Sequence, residues 1–377
     1  MTVDYPSSVS NKAWCLIESD PAIFNAMMQE YGVKNLKVEE VWDLNMLPDT
    51  PVHGLIFASK YKEDLLPEHP EEPDEGAEKV IFSCQVVLNV CATLALLGIL
   101  LNCNDDVDIG NYLRHFKHFT KDFDPCLRGL AVGNSDMLRN THNTFASNQV
   151  RAENALPRMK EAPKKRGRLK KDARQWVNED MYHFVSYVPI EGYLWELDGM
   201  KKYPVRLGPC AADNWLDVAK PLLQKKMIPQ NEDESIDFSL MAIVTDSTAK
   251  LRQRYEFNSL YISKIDELLD ELHPPWRDNT QDNLGKKRTH DEMEYDKDAL
   301  EDILKEDIRQ ITVEGLRKRR CTLDEENKVA QAQLRDSELQ KEHEEMENAR
   351  RKADYFPFIK ALFKKLDEKN ILTKLIQ

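Results

Sequence analysis

Four residues of this sequence carry the side chains that acyl transfer needs. Gln85 stands six positions before Cys91, in a run Gln85-x5-Cys91-Ala92-Thr93 that continues as apolar sequence to Leu101. A helix beginning near Cys91 would aim backbone N–H groups at its sulfur, and its dipole would favour the thiolate, the nucleophilic form. An amide such as Gln85, turned to the same point, joins a backbone N–H as the pair of donors an oxyanion requires. Taken alone, a cysteine in an apolar run also reads as an inert core residue. His183 and Asp198 supply the remaining roles. A carboxylate beside an imidazole fixes its tautomer and orientation, so the two complete a Cys-His-Asp arrangement. The alternative is a His and an Asp that merely cap strand ends. This chemistry calls for no cofactor and no metal.

These side chains need elements to hold them. His183 to Ile190 and Tyr193 to Asp198 alternate in period two across Glu191-Gly192, the pattern of a β-hairpin. A turn centred between Ile190 and Glu191 would pair His183 with Asp198 directly. A turn formed by Glu191-Gly192 would set Asp198 opposite Val185, diagonal to His183. Either register keeps both side chains on one face. Val86 to Leu101, too long for a strand, reads as a core helix, and His53 to Tyr61 as a buried strand. Asp20-Pro21 marks the N-cap and first residue of a helix ahead of Ile23, Phe24 and Met27.

From about Leu251 strands fade. Tyr261, Ile265, Leu268 and Leu272 make a helical stripe, and Leu300, Leu304, Ile308 and Ile311 another. Glu325 to Lys352 is very polar, with apolar positions too sparse for heptads, so it reads as a solvated helix. Ile359, Leu362, Phe363 and Leu366 then share one helical face, with Tyr355, Phe356, Ile371, Leu372 and Ile376 around them, which suggests a small helical tail. At 377 residues the chain suggests two to three units of about 100–200 residues each.

Charge is uneven. The total is −13, which suits a basic partner and argues against nucleic acid as the main ligand. Lys62 to Glu78 carries −7 and reads as a loop, whereas Glu161 to Gln175 carries +5; without that basic stretch the other 362 residues carry −18. Within it, Lys164 to Lys171 reads equally as a nuclear import signal, a nucleic-acid contact or a plain solvated loop. Residues 274–296 look like a linker. Seven cysteines with no C-x-x-C fit neither a disulfide framework nor a zinc ribbon. Met1 to Asn11 lacks a secretory pattern and the 16-residue run Val86–Leu101 is short for a membrane span, so a reduced cytoplasmic and nuclear protein away from membranes is expected.

The segments Q85VVLNVCAT93, H183FVSYVP189 and L197DGMKKYPVRLG208 resemble the ubiquitin C-terminal hydrolase family of cysteine peptidases. W14CLIESDP21, G54LIF57, N134SDMLRNTHNTFA146 and S239LMAIVTD246 extend the likeness over nearly all of residues 10–246. The resemblance implies hydrolysis of the bond after the C-terminal glycine of ubiquitin. It implies Cys91 as nucleophile, His183 as general base and acid, Asp198 as the carboxylate that orients it, and Gln85 as oxyanion donor. It also implies an α+β, papain-like fold: a central sheet flanked by helices, followed by a mostly helical C-terminal extension. A crossover loop at about 145–182, holding the basic insertion 161–175, would span the mouth of the site.

R350RKADYFPFIKALFKKL366 resembles the start of the tail domain in long family members. The implied organisation is a catalytic domain at 10–246, a helical and charged linker at 247–349, and a docking tail at 350–377. Through the tail the resemblance implies a ubiquitin-receptor subunit of the proteasome or a chromatin complex as partner, besides ubiquitin and its conjugates. The short span between the domains and the end at Gln377 favour the proteasome-associated branch. The alternatives are the Polycomb-type histone deubiquitinases and a non-catalytic ubiquitin-binding scaffold.

Overall fold

A computed structural model of the chain describes residues 13–44, 46, 50–60, 72–146, 182–227, 238–272, 276, 312–353 and 355–368. Most of the crossover region, the basic insertion 161–175, residues 62–71, the span 277–311 with its leucine–isoleucine stripe, and Ile371, Leu372 and Ile376 lie outside these.

Six strands form one antiparallel sheet: β1 (Leu36–Glu40), β2 (Val52–Lys60), β3 (Tyr182–Ile190), β4 (Tyr193–Leu197), β5 (Val205–Pro209) and β6 (Phe238–Thr245), in the order β1-β6-β2-β3-β4-β5. Both faces are covered. Ile56 and Ala58 of β2, with Met241 and Ile243 of β6, pack against α1 (Pro21–Tyr31) and α2 (Cys91–Leu100). α3 (Gly110–Thr120), α4 (Pro125–Asn134) and α5 (Asp136–Thr144) add Leu113, Val132 and Leu138 to that core. The alternate residues Leu55, Phe57, Leu240, Ala242 and Val244 meet Trp215, Ala219 and Leu223 of α6 (Trp215–Met227) on the other face. This is the expected α+β sheet with helices on both sides.

Local sequence explains the elements that matter here. Asp20 caps α1, accepting the Ala22 N–H at 2.8 Å, and Pro21 opens the helix. Glu191 and Gly192 make the hairpin turn with φ of 51° and 81°, the left-handed pair of a two-residue turn. Ile190 pairs with Tyr193 and Ser186 with Leu197. The second of the two registers therefore holds, with Asp198 diagonal to His183. The helix expected over Val86–Leu101 is shorter, since α2 begins only at Cys91. Asn89 takes a left-handed φ of 63° and turns the chain, and Leu88 ahead of it is 77% exposed. α2 is apolar all round because it is buried all round, and Gly98 lets it approach β3: a Cβ there would lie 2.9 Å from Ser186 Oγ.

The described chain divides into two compact units, one built from Met1–Asp246 with Glu344–Gln377 and the other from Ser247–His343. In the second unit α7 (Thr248–Leu272) buries Tyr261, Ile265 and Leu269 with Leu316 and Leu323 of α8 (Val313–Lys352). The buried row thus runs through Leu269 and leaves Leu272 59% exposed, because its partners line up along the i, i+4 ridge. α8 continues without a break across the expected boundary at 349/350. It is not solvated throughout: Asn327, Ala330, Leu334 and Asn348 are buried. In the first unit its last turns fasten to α1, with Asn348 Nδ2 donating to Ala22 O at 2.8 Å and Arg351 bonded to Asp20. α9 (Phe356–Glu368) follows, with Phe358, Ile359, Leu362 and Phe363 exposed.

Candidate active site

Cys91 is the first residue of α2, and the residue before it, Val90, provides no side-chain cap. The N–H groups of this first turn are therefore left to the site rather than to a Ser or Asp. Cys91 is half-buried, and its thiol lies 4.0 Å from the Tyr182 carbonyl at the start of β3. Burial pushes the Cys84 and Cys103 thiols up to about 12, which leaves both as inert core groups.

His183 is the second residue of β3, and Asp198 directly follows β4. His183 Nε2 donates to Asp198 Oδ1 at 2.7 Å, and both side chains are well buried. The same oxygen accepts the Met200 N–H at 2.9 Å, which fixes the carboxylate. Burial alone would lower the His183 pKa; the hydrogen bond to Asp198, then that to Cys91, carries it up to about 9. The imidazole is held charged between a carboxylate and a thiol. Cys91, His183 and Asp198 thus lie in one row, tied by the 2.7 Å bond from His183 to Asp198, with the thiol acting on the imidazole.

Gln85 lies beside the end of that row. Its N–H donates to the Gly199 carbonyl at 2.7 Å, one residue past Asp198, and a Cβ at Gly199 would touch the Gln85 Cβ at 3.4 Å. The side-chain Oε1 is buried and has no hydrogen-bond partner among the described residues.

A sequence profile described as "Ubiquitin carboxyl-terminal hydrolase, family 1" matches residues 14–228, and a second, described as "Ubiquitin carboxyl-terminal hydrolases", matches residues 328–372. Ubiquitin carboxyl-terminal hydrolase isozyme L5 of Dictyostelium discoideum is 33% identical over 97% of this chain and 95% of its own length. The chain belongs to the ubiquitin carboxyl-terminal hydrolase family. It is a cysteine peptidase that acts on ubiquitin. The hydrolase BAP1 of Xenopus tropicalis is 35% identical over 70% of this chain, which spans 38% of that longer protein. Among solved structures, Trichinella spiralis UCH37 bound to ubiquitin vinyl methyl ester is 35% identical, with a TM-score of 0.50 over 64% of this chain and 87% of that one.

Several residues that shape the hydrolase site went unnoticed in the sequence. The strip bearing Gln85 is clamped: Cys84 N–H donates to Pro125 O at 2.9 Å, and a Cβ on Gly129 of α4 would fall 2.0 Å from the Cys84 carbonyl oxygen. The buried Arg128 guanidinium binds the carbonyls of Phe82, Thr120 and Phe123 at 2.6, 3.1 and 2.8 Å. Asn89 Nδ2 ties the turn before Cys91 to the Trp14 carbonyl at 3.0 Å. Two residues into α2, the Thr93 hydroxyl donates to His142 Nδ1 at 2.8 Å while His142 Nε2 donates to Cys15 O at 2.8 Å. Burial lowers the His142 pKa to about 4, so this imidazole is neutral and purely structural. Glu196, 5% exposed, lies between Lys201 and Lys226, each at 2.6 Å, and accepts the Tyr187 hydroxyl at 2.9 Å. Burial alone would raise its pKa, but Lys226 and Lys201 hold it at about 2. A polar residue in a strand, read by alternation, gave no sign of this cluster.

Proposed function

We propose that the enzyme cleaves the bond after the C-terminal glycine of ubiquitin with Cys91 as nucleophile, His183 as base and acid, Asp198 as its orienting carboxylate and Gln85 as oxyanion donor. The observation that carries this is the row Cys91–His183–Asp198, with His183 Nε2 at 2.7 Å from the carboxylate and the thiol among the groups that raise the imidazole's pKa. With Nε2 given to Asp198, Nδ1 serves the sulfur. The thiolate is the attacking form, its proton passing to the imidazole.

The sulfur attacks the glycine carbonyl carbon, and the carbonyl electrons move to oxygen. That oxyanion receives hydrogen bonds from the Gln85 amide and the Cys91 backbone N–H. His183 passes its proton to the leaving amine, the C–N bond breaks, and a thioester remains. Water then attacks the thioester while His183 takes its proton, and the C–S bond breaks to release ubiquitin's carboxylate and the thiol. Cys91→Ala is expected to abolish hydrolysis of a ubiquitin C-terminal fluorogenic substrate and labelling by ubiquitin vinyl methyl ester. Retained activity in that variant, or an unlabelled wild type, would end the proposal; the latter is what a non-catalytic scaffold would give.

The finer reading adds a location and a partner. We assign α9 to docking on a ubiquitin-receptor subunit of the proteasome, with the enzyme working in both cytoplasm and nucleus. The exposed Ile359, Leu362 and Phe363 support this, as does the likeness along nearly the full chain to isozyme L5. Likeness to BAP1 favours a chromatin assembly as the second reading. Affinity capture with the full chain, compared with Leu362→Asp/Phe363→Asp, decides: loss of proteasome subunits from the variant supports the first reading, loss of chromatin proteins the second.

A further inference from the structure

The chain from Glu196 to Lys201 closes on itself. Lys201 Nζ lies 2.6 Å from Glu196 Oε1, with the two side chains 13% and 6% exposed. Inside this ring the Lys201 N–H donates to Asp198 O at 2.9 Å and the Met200 N–H to Asp198 Oδ1 at 2.9 Å. The enclosed residues serve both halves of the site. Asp198 holds His183, and the Gly199 carbonyl holds the Gln85 N–H at 2.7 Å. Further along, the carbonyls of Lys201 and Lys202 accept from the Cys84 thiol at 3.6 and 3.4 Å.

We propose that the Glu196–Lys201 ion pair is a positioning device that sets the orienting carboxylate and the oxyanion donor together, by fixing the turn 197–200 between them. Neither residue touches the reacting atoms. The proposal rests on the roles given to His183, Asp198 and Gln85. It predicts a property that roles alone do not: one lysine of the Glu196 cluster matters for turnover and the other does not. Lys226 reaches the same carboxylate from α6 at 2.6 Å but closes no ring around Asp198.

The comparison of Lys201→Met with Lys226→Met uses this asymmetry. In either variant Glu196 keeps one lysine and the Tyr187 hydroxyl, so the carboxylate is not left bare and the fold is retained. Concentrations of active enzyme are set by titration with ubiquitin vinyl methyl ester, which normalises for any unfolded fraction. Lys201→Met is expected to lower kcat about 10- to 100-fold with KM within about twofold, the cost of misplacing groups without losing substrate contacts. Lys201→Arg should recover most of that loss, and Lys226→Met should stay within about twofold of wild type. Equal losses in the two methionine variants, or an unchanged kcat in Lys201→Met, would overturn the proposal. Wild-type labelling at Cys91 tests the underlying roles separately, so the two failures are distinguishable.

Discussion

Replacing Asp198 by Asn puts the proposed roles under the most direct strain. The change keeps the side-chain shape and the oxygen that accepts the Met200 N–H, and removes the charge facing His183 Nε2 at 2.7 Å. Burial works against the imidazolium, and the Asp198 hydrogen bond is the largest influence holding its pKa up at about 9. A hydrogen bond to a charged group contributes about 1.5–3 kcal/mol, or about one to two pKa units. In the variant the His183 pKa is therefore expected to fall from about 9 to roughly 7–8. His183 must hold a proton to give it to the leaving amine, so activity is lost as pH rises through its pKa. The alkaline limb of kcat/KM should move down by that amount; at neutral pH titration alone costs about twofold at most, and the loss of the imidazole's orientation carries the total drop to about 10²–10⁴-fold. The assay is hydrolysis of a ubiquitin C-terminal fluorogenic substrate between about pH 6 and 10 for both proteins. An alkaline limb at the same pH in Asp198→Asn would refute the reasoning, as would a wild-type limb at the ordinary histidine value.

Two further predictions concern the groups around the site. His142 is buried neutral with its pKa lowered from 6.5 to about 4, so the stability it contributes is complete above 6.5 and is lost as pH falls through about 4. That window holds up to about 3 kcal/mol, and urea midpoints should show the acid-side loss in wild type but not in His142→Gln; identical pH slopes would count against it. Gly129→Ala would force a Cβ to 2.0 Å from the Cys84 carbonyl oxygen, so α4 or the Gln85 strip must move. The expected cost is about 1–3 kcal/mol, seen as a lower Tm and a lower kcat, and a variant with both unchanged would show that the clamp is loose.

What could be read in the sequence follows from what pattern rules assume. A helix in the apolar run through Cys91 and a hairpin across Glu191-Gly192 are legible, because run length and period-two alternation are local signals. Alternation narrows the register to two, and only the placement of the turn decides between them. Asn89 was missed as a break in Val86–Leu101, because a single asparagine in an apolar run carries no signal unless its φ is known. On α7 a stripe through Leu268 and Leu272 and one through Leu269 fit the same period, and only the position of Leu316 and Leu323 selects between them. The approach of residues 85 and 91 to the His183–Asp198 pair depends on how α2 packs against β3 and could not come from spacing along the chain.

Glu196 exposes the deeper limit. Alternation in β4 assigns Trp195 and Leu197 to a core and Glu196 to water, which is right for a sheet with one wet face. Here helices cover both faces, so the outward slot is also buried and its carboxylate must find charge. A buried ion pair is poor evidence of stability, because an apolar set of similar volume often does as well or better. Its presence around His183's partner and the support of Gln85 therefore asks for a reason other than stability. Geometry supplies one. A strand that ends at Leu197 would let the following turn adopt several conformations, and hydrophobic packing, having no direction, would not choose among them. An ion pair at 2.6 Å, enclosing the Met200 N–H bond to Asp198 at 2.9 Å and the Gly199 carbonyl that holds Gln85 at 2.7 Å, does choose. The charges that the sequence pattern misplaces are then the ones that the reaction geometry needs.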